Sequence, residues 1–247
     1  MDAEIGNYGC AGCRQPLPFP ISMAFQPIVD VSQSRVFAYE ALVRGAAGEG
    51  AGEIFSRLDD STLYGFDQAC RVKAVEMASL LGMDRWLSIN FMPNAVYDPV
   101  HCIQTTLAAS RRTGFPLDRI IFEVSEAERI TKQDRLVGIL NEYRGFGFKT
   151  AIDDFGAGFA GLSLLANFQP DIVKLDMELV RGIDASRARQ TIVRSVMDLC
   201  GTLGIDVIAE GVETAAERDA LQELGVALMQ GYLFARPGFE ALPEVSW

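Results

Sequence analysis

Eight short apolar runs recur along the chain, at 23–29, 36–43, 86–91, 119–125, 148–153, 171–176, 206–211 and 228–234, and most are separated by helically spaced segments. Strand-length runs that alternate with helix-length segments confine a chain to parallel α/β architecture. In 66–81, Phe66, Cys70, Ala74, Met77 and Leu81 recur at steps of three and four, and Ile192, Val196, Leu199 and Leu203 do so later. Gly82, Gly147, Gly204 and Gly225 follow such segments, where a helix C-cap sits. Eight runs in 247 residues favour a closed (β/α)8 barrel, TIM-like, over an open doubly wound sheet. Only residues 30–35 separate the first two runs, too few for a helical crossover. They are therefore expected to pair as an antiparallel hairpin, so that one strand near the N-terminus runs backwards. Residues 1–21 read as an irregular leader rich in Gly and Pro, and 22–247 as one domain.

Each run but the first carries one polar residue near its C-terminal end: Glu40, Asn90, Glu123, Asp153, Lys174, Glu210 and Gln230. Any one of these has an ordinary reading, an amide satisfied in a turn or a lysine neutralising a neighbouring carboxylate. Converging from seven strands onto the end where barrel active sites lie, they read together as a site. Carboxylates with an amide oxygen are hard donors suited to Mg²⁺ or Mn²⁺. Asp153 and Asp154 are adjacent, and successive strand residues face opposite ways, so both cannot face the axis from a regular strand. If the strand ends at Asp153, the turn at Gly156 and Gly158 brings Asp154 to the same mouth. One carboxylate then bridges two cations, an arrangement suited to in-line attack on a phosphoryl group. The plainer alternative, a solvated Asp-Asp turn, stays open on this pair alone.

Composition narrows the partners. With 22 Lys plus Arg against 33 Asp plus Glu, the net charge is −11. Such a chain is ill suited to gripping a DNA or RNA polymer, but accepts a small anion if metal ions supply positive charge. The first residues lack the charged-apolar-small pattern of a signal peptide and no apolar run is long enough to span a bilayer, so neither a signal peptide nor a membrane span is expected. The five cysteines are odd in number and lack a framework spacing, so a cytoplasmic setting is expected.

EALVR at 40–44, SINF at 88–91, FEVSE at 122–126, DDFGAG at 153–158, VKLD at 173–176, AEGVET at 209–214 and QGYLFARP at 230–237 together resemble the EAL-domain cyclic-di-GMP phosphodiesterases. The resemblance covers roughly 22–243 and follows the family's motif order. It implies hydrolysis of 3′,5′-cyclic di-GMP to linear pGpG. It implies that Glu40, Asn90, Glu123 and Asp153 bind a first metal, and that Asp153 bridges to a second held also by Asp154. Lys174 and Glu210 would organise or deprotonate the attacking water. Arg44 would contact a phosphate, and Gln26, Glu213 and Gln230 would lie near guanine or ordered water. Glu126 would tether the loop after Asp154. Two Mg²⁺ or Mn²⁺ ions per site, inhibition by Ca²⁺, a homodimer and a regulatory or sensor domain or partner are further implications. The loop departs from the DDFGTGYSSL-like string of many members: Ala157, Phe159, Ala160 and Gly161 replace residues with hydroxyls, which loosens its anchoring.

Two other functional classes stand beside this one. A catalytically weak or inactive domain would hold the dinucleotide or a protein partner without cleaving it, and an unrelated barrel hydrolase or lyase would also place carboxylates around a metal. Cys10 and Cys13 offer two thiols, which would need His101 and Cys102 to complete a zinc site.

Overall fold

A computed structural model of the chain describes residues 17–59, 61–96, 98–125, 133–158 and 161–247. All eight apolar runs form strands: β1 (Ile21–Asp30), β2 (Arg35–Gly45), β3 (Trp86–Asn90), β4 (Ile120–Ser125), β5 (Lys149–Phe155), β6 (Ile172–Leu175), β7 (Asp206–Ala209) and β8 (Leu228–Gln230). A ninth, β9 (Gly238–Phe239), was not foreseen. Two residues carry too little pattern to be read as a strand.

From β2 to β8 each strand pairs in parallel with the next. β1 pairs antiparallel with both β2 and β8 and so closes the barrel, while β9 adds to the free part of β1 outside it. The backward strand follows from the four residues between β1 and β2, which permit only a hairpin. Both strands of this hairpin run past the barrel rim, since Ile21–Ala24 pair with Leu42–Gly45 and with no other barrel strand.

Helices α1 (Ala51–Phe55), α2 (Leu63–Leu80), α3 (Pro99–Cys102), α4 (Gln104–Thr113), α5 (Gln133–Gly145), α6 (Gly161–Asn167), α7 (Met177–Val180), α8 (Arg187–Leu203) and α9 (Ala215–Glu223) lie between the strands. The expected helix-ending glycines all take left-handed φ; Gly204, at φ 71°, caps α8 and donates to Gly201 O. One apolar stripe is displaced from its expected place. Ile192 and Leu203 are exposed on α8, and the buried stripe is Val193, Val196 and Cys200. Only a β-strand and short helices need covering there, so a narrow stripe suffices.

The barrel interior holds two layers that explain the site. Ile28, Ala38, Ile121, Ala151, Ile172 and Ile208 form a separate apolar cluster inside, with Leu228 packed against it. Two residues beyond Ala38, Ile121, Ala151, Ile172, Ile208 and Leu228, on the same face, come Glu40, Glu123, Asp153, Lys174, Glu210 and Gln230. β1 runs the other way, so its member, Gln26, lies two residues before Ile28. The apolar layer seals the barrel floor, and the polar layer sits on top of it at the strand C-termini. Outside the barrel, Arg71 of α2 is fully buried, pairs with Asp67 at 2.5 Å and donates to the Tyr143 hydroxyl at 2.6 Å. This ties α2 to α5 across the aromatic group Phe91, Phe122 and Tyr143, whose faces receive the guanidinium.

Candidate active site at the barrel mouth

Lys174 is the centre of the polar layer. Its Nζ lies 2.7 Å from Glu210 Oε1, 3.0 Å from Glu123 Oε2, 3.0 Å from Asp153 Oδ1 and 3.5 Å from Glu40 Oε2. Burial works against its charge, but the four carboxylates overcome that and raise its pKa well above the usual lysine value. One ammonium cannot neutralise four carboxylates. Burial, with Glu40 and Asp153 nearby and Lys174 opposing, pushes Glu123 up to about 8, and burial also raises Glu210 well above the ordinary range.

The amides bind this cluster together. Asn90 Nδ2 donates to Glu40 Oε1 at 2.8 Å. Gln230 Nε2 donates to Glu40 Oε2 at 2.8 Å and to Gln26 Oε1 at 3.3 Å, and Gln26 donates onward to Ala235 O. Gln230 Oε1 is buried with no hydrogen-bond partner among the described residues.

Asp154 reaches the mouth by a route the sequence did not suggest. β5 does not end at Asp153; it continues to Phe155 with a register shift between Ile152 and Phe155. Asp154 occupies that bulge at φ 56°, a left-handed conformation that Asp tolerates better than most residues. Its Oδ2 accepts from Ser125 Oγ at 2.8 Å and its N–H donates to Asp153 Oδ1 at 3.0 Å. The bulge, rather than a strand end, turns two successive carboxylates the same way. Gly156, two residues after Asp154 and at φ 101°, lies where a Cβ would stand 2.6 Å from Leu179 Cδ1.

Carboxylate oxygens gather in two overlapping groups, Glu40, Glu123 and Asp153, and Asp153, Asp154 and Glu210, each within 4.8 Å of one another. Asp153 belongs to both. The donor set is all oxygen, the charge is in excess of the single ammonium, and the groups share one carboxylate; these features fit two hard divalent cations.

Outside the layer, Glu213 lies on the loop after β7, with Oε2 2.7 Å from Arg181 Nη1. Arg44 shares a strand face with Glu40, further out along β2, and its Nη1 donates to Val43 O at 2.7 Å, so the structure does not bring it into the carboxylate cluster. Glu126 and Phe159 and Ala160 of the altered loop lie outside the described residues, as do Cys10 and Cys13. Ala157 N–H donates to Asp154 O at 3.1 Å, and Gly161 opens α6. His101 is exposed and bonded to Asp98 Oδ2 at 2.8 Å, while Cys102 is buried, so these neighbours face different ways.

Residues missed in the sequence hold the others in place. Ser88 is fully buried and its hydroxyl donates to Glu123 Oε1; Ser125 holds Asp154. Each lies two residues from a recognised site residue on the same strand face, Ser88 before Asn90 and Ser125 after Glu123, so the period of two would have found them. Asp176, Arg181 and Tyr232 line a cavity of about 250 Å³ with Glu40, Asp154 and Glu210. The glycines of AEG and QGY are set by backbone contact. A Cβ on Gly211 would lie 2.5 Å from Met177 Cβ, and one on Gly231 only 2.0 Å from Val212 O.

Blue light- and temperature-regulated antirepressor BluF of Escherichia coli K12 is 33% identical over 225 residues, covering 91% of this chain and 56% of BluF. Probable cyclic di-GMP phosphodiesterase PdeA of the same organism is 29% identical over 230 residues, covering 84% of this chain and 31% of PdeA. The chain thus spans about half of one relative and a third of the other. Among solved structures, a standalone versatile EAL protein from Vibrio cholerae O395 in c-di-GMP-bound form is 51% identical, with TM-score 0.91, covering 93% of this chain and 97% of that one. Klebsiella pneumoniae BlrP1 in a manganese/cy-diGMP complex at pH 6 is 40% identical, with TM-score 0.88, covering 94% of this chain and 60% of that one. The EAL domain family matches residues 20–237, and the chain belongs to that family.

Proposed function

We propose that the protein is a divalent-metal-dependent phosphodiesterase that hydrolyses cyclic di-GMP to linear pGpG. The observation that carries this is the pair of overlapping oxygen clusters sharing Asp153, set against the Lys174–Glu210 contact of 2.7 Å. Relatives named for cyclic di-GMP hydrolysis and structures titled as its complexes support the choice of substrate. Glu40, Asn90, Glu123 and Asp153 would hold one Mg²⁺ or Mn²⁺, and Asp153 with Asp154 a second. The metals would supply Lewis-acid polarisation and charge neutralisation at the scissile phosphate. Glu210 accepts a proton from the attacking water, and Lys174 holds that carboxylate in place. The water oxygen bonds to phosphorus as the bond to a 3′ oxygen breaks, and that oxygen takes a proton from solvent to become a 3′-hydroxyl, leaving the 5′-phosphate of pGpG. Gln26, Glu213 and Gln230 would lie near guanine or ordered water, Arg44 would contact a phosphate, and Glu126 would tether the loop after Asp154.

Because one relative is named an antirepressor, a chain that holds the dinucleotide without cleaving it is the second reading. Turnover of cyclic di-GMP with Mg²⁺ or Mn²⁺, with chromatography of the products, separates the two. Wild type is expected to yield pGpG, Glu40→Ala none, and Ca²⁺ alone little. Tight nucleotide binding by wild type without pGpG would select the second reading.

A further inference from the structure

On the cavity rim, Arg181 and Glu213 form an ion pair of 2.7 Å between half-exposed side chains, 38% and 46% accessible. An exposed pair of this kind adds little to stability, typically about 0–1 kcal/mol. Its backbone setting is nevertheless rigid. Glu217, 3% exposed, accepts at Oε1 from Gly182 N–H at 2.9 Å, and at Oε2 from Glu213 N–H at 3.0 Å and Thr214 N–H at 3.1 Å. One buried carboxylate therefore pins the chain beside Arg181 and the chain at Glu213, fixing their separation. Arg181 Nη1 takes the contacts to Glu213 and, at 3.9 Å, to Glu217; no ion pair of its Nη2 or Nε is found among the described residues.

The result is a fork of N–H donors directly beside a carboxylate acceptor, both facing one cavity. Guanine presents that pattern in reverse along one continuous edge, the acceptors N7 and O6 followed by the donors N1–H and N2–H₂. Adenine places a donor, N6–H₂, where guanine has O6, and so opposes the arginine. Tyr232 lines the same cavity, is 49% exposed, and carries the Arg236 guanidinium 4.2 Å from its ring centroid. It offers a fixed aromatic face against which a base can stack.

We propose that Arg181 is a specificity-determining residue that reads the N7 and O6 acceptors of one substrate guanine while Glu213 takes its N–H donors. This rests on the cyclic di-GMP reading of the site. Among the described residues Arg181 pairs with Glu213 and Glu217 and with none of the Lys174 carboxylates, so its loss acts on binding and not on the chemical step. For Arg181→Met, KM for cyclic di-GMP rises about tenfold to a hundredfold, the discrimination of one bidentate contact, with kcat within about threefold. Arg181→Lys, which lacks the planar fork, recovers only part of this. The analogue with 7-deazaguanine bases binds wild type more weakly and shows a much smaller further loss in Arg181→Met. Cyclic di-AMP competes poorly with wild type, and its disadvantage shrinks in the variant. An unchanged KM in Arg181→Met, or equal losses for the natural and 7-deaza substrates, overturns the assignment alone. If wild type binds cyclic di-GMP without cleaving it, the hydrolase reading fails and the same comparison is made in Kd. If wild type does not bind it at all, both fall.

Discussion

Around Lys174, charge count governs what a substitution does. Four carboxylates approach one buried ammonium, so the metal-free protein carries more negative charge there than it can neutralise. Asp153→Asn keeps the shape and removes one charge. It is expected to lower turnover by at least about a thousandfold, to leave the metal-free melting temperature equal or higher, and to erase the stabilisation by Mn²⁺ expected of wild type. A large fall in the metal-free melting temperature would mean that Asp153 serves mainly as a partner of Lys174. Ser88→Ala tests the layer beneath. Losing the hydroxyl that orients Glu123 should weaken Mn²⁺ binding about tenfold or more, measured by calorimetry without substrate, with the melting temperature little changed. Glu40, Asn90 and Lys174 were legible because a charged or amide residue interrupts an apolar run. Ser88 was not, because a serine in a strand breaks no pattern, and only its shared face with Asn90 marks it.

Within the strands and loops, legibility stopped where backbone geometry departs from the regular element. The run ending at 153 gave the right strand, but the sequence offers no sign that the strand carries Asp154 through a left-handed bulge; the expected strand end was the simpler way to turn one side chain. On α8 several apolar residues satisfy a helical period, and which of the two neighbouring stripes faces inward depends on the packing of β7 and α7. The loops after β7 and β8 show what local patterning conceals altogether. Val212 N–H donates to Gln230 O at 3.1 Å, Leu233 N–H donates to Val212 O at 3.1 Å, and Gly231 fits between because it has no Cβ. Gly231→Ala must separate these backbones, costing about 2–4 kcal/mol, and calorimetry should show a melting temperature about 5–10 °C lower. Turnover should fall by more than this loss of folded protein explains, because the displaced loop carries Glu210 and Glu213. A variant that melts near wild type would show that the loops yield easily.

Across the whole molecule, the barrel sets a demand that the net charge of −11 does nothing to relieve. Its floor is apolar, so the layer above is screened from water below, and Glu123 and Glu210 there titrate against burial and neighbouring carboxylates. The consequence has a definite sign. Glu123 keeps its proton up to about 8 in the folded barrel, against 4.5 for the free carboxyl, and Glu210 is raised as well. Between these values the folded state binds more protons than the unfolded chain, so folding takes up protons and stability falls as pH rises. Lys174, whose pKa is raised, contributes stability that persists throughout this range and is lost only at higher pH. Divalent cations bind the ionised carboxylates, so their contribution grows as the protons leave. Melting temperatures from pH 5 to 8 should therefore descend in chelator and descend less, or rise, in saturating Mn²⁺, the two curves diverging toward pH 8. Asp153→Asn, with one charge fewer and a broken cation site, should flatten the chelator curve and bring the two together. A chelator curve that climbs with pH would show that these carboxylates are ionised and satisfied by protein groups alone, and the metal assignment would lose its electrostatic basis.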